Sequence, residues 1–149
     1  AGTVYKLTGP IFVREGASLV IPAGTRIEAT GGTSAFIAVA QGGKIFVNGT
    51  ATNPVVMTSG LASPAAGNWG GLVICGKAPI NRGATAAAEV SELTYGGTDV
   101  ADNSGSIRYL RIEYCGAAFN SEKEFNGLSL FGVGNGTVVE YVQVYRGAD

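Results

Sequence analysis

The sequence predicts an all-β solenoid, a right-handed parallel β-helix, and three observations carry that prediction. First, the stretch from Ile11 to Met57 repeats itself. PIFVREGASLVIPAGTRIEA is followed by AFIAVAQGGKIFVNGTATNPVVM at an offset of 26 residues, as from Ile11 to Ile37 and from Leu19 to Ile45. Second, each copy holds three short apolar alternations closed by Gly-containing turns, the pattern of strands with one buried face. Third, the rhythm returns after a break: Ile107 to Ile112 matches Val139 to Val144 at a spacing of 32, and GLSLFG from Gly127 echoes GLVICG from Gly71. A unit of this size cannot bury its own apolar face, so neighbours must stack into one continuous core. Parallel strands joined by crossovers take the right-handed sense.

Taken in order, Thr3 to Leu7 reads as a lead-in strand. The first coil (3–29) follows, with inward pairs Ile11/Val13, Leu19/Ile21 and Ile27/Ala29. The second (35–58) points Ile37/Val39, Ile45/Val47 and Val55/Met57 inward, with turns at Gln41-Gly42-Gly43 and Asn48-Gly49-Thr50. β-Branched side chains dominate these positions, as a buried strand favours. A Ser/Pro/Ala/Gly loop (60–68) leads to a third coil (69–81), in which Leu72 and Ile74 take the places of Ile37 and Val39, and Ala78 and Ile80 those of Ile45 and Val47. A lateral loop (82–104) breaks the rhythm before a fourth coil (105–116), a further loop (117–126) and a fifth coil (127–146). The expectation is therefore one domain of about five coils. No polar capping turn follows Val142 to Tyr145, so the expectation extends to a fragment of a longer β-helix, or an end covered by something else.

Composition narrows function mainly by exclusion. Hydrophobic residues make up 46% of the 149 residues and charged residues 14%, with a net charge of −1. Such a chain has material for a core and no basic field for nucleic acid. No apolar run approaches the ~18 residues of a membrane helix. Histidine is absent, which removes the commonest general base and metal ligand together. The two cysteines, Cys75 and Cys115, lack CxxC spacing. They read either as a disulfide in an oxidising compartment or as two buried free thiols. The chain opens without a charged, apolar signal-type segment, so an export signal is absent or already removed.

The strings GASLVIPAGTRI, GGKIFVNGTATNPVVMTS, NWGGLVICGKAPIN, YGGTDVADNSGSIRYLRIEYCG and NGLSLFGVGNGTVVEYVQV resemble a family of secreted or lipid-anchored β-helix proteins of Bacteroidota and related bacteria. The resemblance covers nearly the whole chain. It implies an exported protein of the cell envelope or outer surface, and further coils beyond the segment ending in GAD. It brings no catalytic residues with it. The fold is also similar to that of pectate lyases, but a fold does not by itself assign a function.

Four groups of residues stand out as site candidates. Tyr109, Arg111 and Glu113 alternate on one strand and would face outward together, an aromatic ring beside an Arg/Glu pair suited to glycan hydroxyls. The competing reading is a solvated face, with Arg108 paired to Glu140 up the stack. Asp99, Asp102 and Asn103 lie in a Gly-rich loop where hard oxygens could hold Ca²⁺, or simply bond their own backbone in turns. A lyase base would have to be Lys44, Lys77 or Arg111, none with an acidic cluster beside it. The outward acids Glu28 and Glu113 fall in different coils, which argues against a two-carboxylate hydrolase, so the expectation is no catalytic residue and no cofactor. Finally, Val20, Phe46 and Pro79 form an apolar row on one outer wall, and Phe12, Ala38 and Val73 another, where polar residues would be expected. These rows suggest a contact with another envelope or surface protein, further coils of the chain, or self-stacking, unless the 82–104 loop covers them. The sequence-level expectation is thus a non-catalytic surface scaffold, with a polysaccharide-binding or polysaccharide-cleaving protein as the alternative.

Overall fold

The computed structural model describes residues 2–89 and 91–149. Among them are thirteen strands and no helix: β1 (Val4–Leu7), β2 (Ile11–Val13), β3 (Ser18–Pro22), β4 (Arg26–Ala29), β5 (Ile37–Val39), β6 (Lys44–Asn48), β7 (Val55–Ser59), β8 (Leu72–Cys75), β9 (Ala86–Ala87), β10 (Thr94–Tyr95), β11 (Gly105–Glu113), β12 (Leu128–Phe131) and β13 (Val138–Tyr145). All ladders are parallel except the small β9/β10 pair. The chain is a parallel β-helix with three walls.

The first wall stacks β2, β5, β8 and β12. Its register joins Ile11 to Ile37, Ile37 to Leu72 and Leu72 to Leu128, so the 26-residue offset and the GLVICG/GLSLFG echo are both rungs of one ladder. The second wall stacks β3, β6 and the first halves of β11 and β13. The third stacks β1, β4, β7 and the second halves of β11 and β13. Strands β11 and β13 each run through the corner that separate strands form in earlier coils.

One expectation needs correction. Ala78 and Ile80 do not occupy the places of Ile45 and Val47; Gly105 and Ile107 do. After Cys75 the chain leaves the stack, and Pro79, which has no N–H to donate, could not serve a central rung in both directions. Segments 69–81 and 105–116 are therefore two parts of one coil with a long excursion spliced between them, and the walls hold four full coils plus β1. On the third wall of the second coil, Ile27 pairs with Met57 and Ala29 with Ser59, a larger offset than on the other two walls. The offset there is larger because extra residues enter the corner around Thr50 to Asn53, which closes on itself through a two-way backbone bridge.

The lumen is filled by the inward columns. Ile37, Val39, Ile45, Val47, Leu72, Ile74, Ile107 and Ile112 are fully buried and form one cluster with Met57, Trp69 and Leu110. Each such side chain contributes about 1.5–3 kcal/mol relative to leaving it in water. Trp69 also donates its indole N–H to the Glu113 carbonyl, 2.7 Å away, so its polar tip is satisfied inside the core. The stacking distance is tight at Gly105, where φ is +117° and a Cβ would sit 1.9 Å from the Ile45 carbonyl oxygen. No other residue fits that corner.

A second apolar cluster lies outside the first wall. Its floor is the outward row of that wall: Phe12, Ala38, Val73 and Cys75. Its cover is the chain's own excursions, with Ala88, Leu93 and Tyr95 from one and Ala117 and Phe125 from the other. Ring contacts knit it together: Phe36 lies 5.0 Å from Phe125 and Tyr95 lies 4.9 Å from Phe131. The cover is also tied down by polar groups. Gln41 donates to the carbonyls of Gly76 (2.8 Å) and Gly96 (2.6 Å).

Candidate functional site

With the first wall covered, the outer surfaces that carry candidate residues are the second and third walls. On the second, register places Val20, Phe46, Ser106 and Val138 in one outward row, four rungs deep. Val20 is 57% exposed, and the other three are half-buried. Beside this row run Pro22, Asn48, Arg108 and Glu140, and Arg108 forms an ion pair with Glu140 on the neighbouring strand. Of the five residues expected at a partner interface, Val20 and Phe46 share this row. Pro79 does not: it is exposed on the excursion, and Ser106 occupies the place expected for it. Phe12 and Val73 belong to the covered wall, where Val73 has no exposure.

The third wall carries the polar candidates. Arg111 and Glu113 do face outward together, with Arg111 Nε 2.8 Å from Glu113 Oε2. Tyr109 precedes them at the corner between the second and third walls. It is the corner residue, in the left-handed region at φ +51°, and its counterpart Tyr141 adopts φ +55°. Bulky residues there cost on the order of 1–2 kcal/mol each. Their rings stack at 4.4 Å and 8°, a contact worth about 0.5–1.5 kcal/mol that offsets part of the strain. Next along the wall, the Arg111 guanidinium lies 4.7 Å above the Tyr145 ring. Sequence reasoning left Tyr141 and Tyr145 out, although the 32-residue spacing that aligns Tyr109 with Tyr141 was available to flag the first.

Register also revises the distance between the two outward acids. Arg26 pairs with Val56, and Val56 with Arg111; one step on, Glu28 pairs with Thr58, and the same register carries Thr58 to Glu113. Glu28 and Glu113 thus share one column two rungs apart, roughly 10 Å at strand spacing, instead of lying on unrelated segments. Both are neutralised by their own chain. Lys6 and Arg26 hold Glu28, and the Lys6 hydrogen bond keeps its carboxyl below the usual range. Glu113 has Arg111. The Lys6 hydrogen bond and the nearby Arg26 cation favour the ionised form of Glu28. Of the residues considered as a lyase base, Lys77 pairs with Glu15 at 3.0 Å, Arg111 with Glu113, and Lys44 sits on β6 opposite Ser18.

The residues considered for Ca²⁺ fall into backbone roles. Asp102 is 5% exposed; its Oδ1 accepts from the Lys77 N–H (3.0 Å), and its Oδ2 accepts from the Ser104 hydroxyl (2.9 Å) and the Gly134 N–H (3.2 Å). It ties the exit of the excursion to its entry and to the next coil. Asp99 accepts from the Ala101 N–H and Asn103 from the Gly105 N–H, both as turns two residues long. No cluster of three or more metal-ligating side chains occurs among the described residues.

Comparison with known families adds one finding: a pectate-lyase-like β-helix domain pattern matches residues 1–149. The chain belongs to that family. Neither curated proteins nor solved structures give a match. Both cysteines of this β-helix domain are free and buried, Cys75 under the cover of the first wall and Cys115 in the lumen core. Burial pushes the Cys75 thiol up to about 11 and raises that of Cys115 as well. No helix among the described residues is long and apolar enough to cross a membrane.

Proposed function

We propose that this β-helix domain is a non-catalytic scaffold of the bacterial cell envelope or extracellular surface, and that its second wall is the contact surface through which it joins a larger assembly. The observation that carries this reading is the contrast between two apolar rows. The chain spends two excursions covering the row on the first wall, while Val20 and Phe46 on the second stand outside any such cover. Solvated walls normally alternate to polar residues, and apolar rows left open mark contacts. The reading uses no cofactor, and a melting temperature that rises when Ca²⁺ is added would count against it. The decisive measurement is co-purification from native envelopes. A stoichiometric partner captured by the wild-type protein and lost with Phe46→Glu supports the scaffold; equal capture by both removes the second wall from it.

A polysaccharide-binding or polysaccharide-cleaving role is the second reading, favoured by the Tyr109–Tyr141 stack beside the Arg111–Glu113 pair. Planar rings next to an ion pair can seat a sugar ring and its hydroxyls. A glycan array separates the two readings: specific binding that Arg111→Ala abolishes favours the second, and an empty array favours the first.

A further inference from the structure

Between the second and third walls the first coil turns through Gly24, at φ +76°, where a glycine enters the left-handed region freely. Two later coils turn the same corner on Tyr109 and Tyr141, at φ +51° and +55°. Bulky residues persist in that region only where their surroundings hold them, and such outliers cluster at functional sites. What these two side chains share is a geometry. Their rings lie 4.4 Å apart with 8° between the planes. The rungs on either side lock that arrangement. Arg108 pairs with Glu140 and Leu110 with Val142 in the ladder, Leu110 is buried in the lumen, and the Arg108–Glu140 ion pair spans the same two strands. Tyr141 is 66% exposed and Tyr109 half-buried, so a small oxidant reaches the pair from solvent. The chain supplies its own contrast: Tyr114 and Tyr145 lie further along the same two coils, yet their rings meet edge to face, 6.4 Å apart and at 77°.

We propose that Tyr109 and Tyr141 form a site of oxidative cross-linking, in which their rings join through carbons ortho to the hydroxyls as a dityrosine. The oxidant is of the peroxide class, used by a haem peroxidase in one-electron steps. Each phenol gives up one electron and one proton, and the two tyrosyl radicals pair to form one C–C bond. The hydrogens on the two bonded ring carbons then move to the oxygens, which restores both phenols. Two tyrosines and one hydrogen peroxide thus yield one dityrosine and two waters. Because the stack holds the radicals face to face, coupling is intramolecular and needs no chance encounter. The bond closes a loop of 32 residues (141 − 109) and ties two coils together around the 117–126 excursion. A covalent closure of this kind restricts the unfolded chain, as a disulfide does. The assignment stands apart from both readings above, since it requires neither a partner on the second wall nor a bound glycan.

The test treats the full chain with hydrogen peroxide and a haem peroxidase, at a protein concentration low enough to suppress coupling between molecules. Cys75, Cys115, Met57 and Trp69 are buried, which limits competing oxidation. The expected result is dityrosine fluorescence in monomeric protein, with one linked peptide pair, Tyr109 with Tyr141, that has lost two hydrogens. Tyr141→Phe should lower the yield at least ten-fold with its fold intact by circular dichroism, and Tyr114→Phe should leave it unchanged. Tyr109→Phe, which keeps a ring at the other corner, gives the same reading should Tyr141→Phe fail to fold. Treated wild type should also melt higher than untreated protein, with no such rise in Tyr141→Phe. The same linked peptide is expected in protein recovered from its native cells after peroxide exposure, and its absence there overturns the proposal. So does a monomer that stays unlinked, linkage that runs through Tyr114 and Tyr145 or equally through all six tyrosines, or an undiminished yield in Tyr141→Phe.

Discussion

The two apolar rows began as equals and ended as opposites. On the first wall Phe12, Ala38 and Val73 became the floor of a second core, sealed by Tyr95 and Phe125 from the lateral excursions. On the second wall Val20 is 57% exposed and Phe46 half-buried, and neither belongs to the covered cluster. The same residue types on the same kind of strand therefore do different work according to what the intervening loops reach. A covered row adds stability; a bare one costs solubility unless something binds it. The difference also explains why the excursion after Cys75 is so firmly pinned by Gln41 and Asp102: it is a structural layer, with its own buried side chains, fastened at its neck.

The comparison can be broken most forcefully from the covered side. Val73→Glu should place an unpaired charge in a dry layer and destabilise the domain by about 3–5 kcal/mol, read as a large fall in the urea midpoint; a near-neutral result would mean that the cover does not pack. Asp102→Ala should cost about 1–3 kcal/mol, because the Lys77 and Gly134 N–H groups lose their acceptor. In the same variant, loosening of the cover should let a thiol reagent reach Cys75 before global unfolding. In the wild type, Cys75 should react only on unfolding, since it is buried and its thiol titrates at about 11. From the bare side, Val20→Glu should change stability by about 1 kcal/mol or less, as exposed substitutions usually do, because Val20 is 57% exposed, while weakening capture of a partner from native envelopes. A large stability loss there would show that the wall is already packed.

The smallest expected effect sharpens the charge pattern of the third wall. The Glu28 carboxyl is held below its usual range by Lys6 and Arg26. Its contribution to stability is therefore present above about pH 4.5 and is lost as pH falls through its lowered folded value. The acid limb of a melting-temperature profile should shift slightly in Glu28→Gln and be unchanged in Glu122→Gln, whose carboxylate is exposed and outside the ion pairs of the walls.

Much of the fold was legible because burial imposes a period. The inward columns from Ile11 to Met57 had to alternate, and their repetition had to stack, so the parallel β-helix followed from local pattern alone. The Arg108–Glu140 pair was legible for the same reason, through the 32-residue spacing. What escaped was whatever depended on corners. Tyr109 turns the chain from the second wall to the third, and Glu28 reaches the column of Glu113 only through the extra residues near Thr50. Ala78 and Ile80 mimicked a rung, yet nothing in their spacing could show that the backbone had already left the stack.

The sequence by itself determined that this chain folds as a parallel β-helix, because hydrophobic periodicity is a local property read residue by residue. Only the tertiary structure decided which outward face remains open. Whether Val73 or Val20 meets water depends on where residues dozens of positions away come to rest, and that is set by the side-chain packing and hydrogen bonds of the excursion, with Gln41 and Asp102 at its neck.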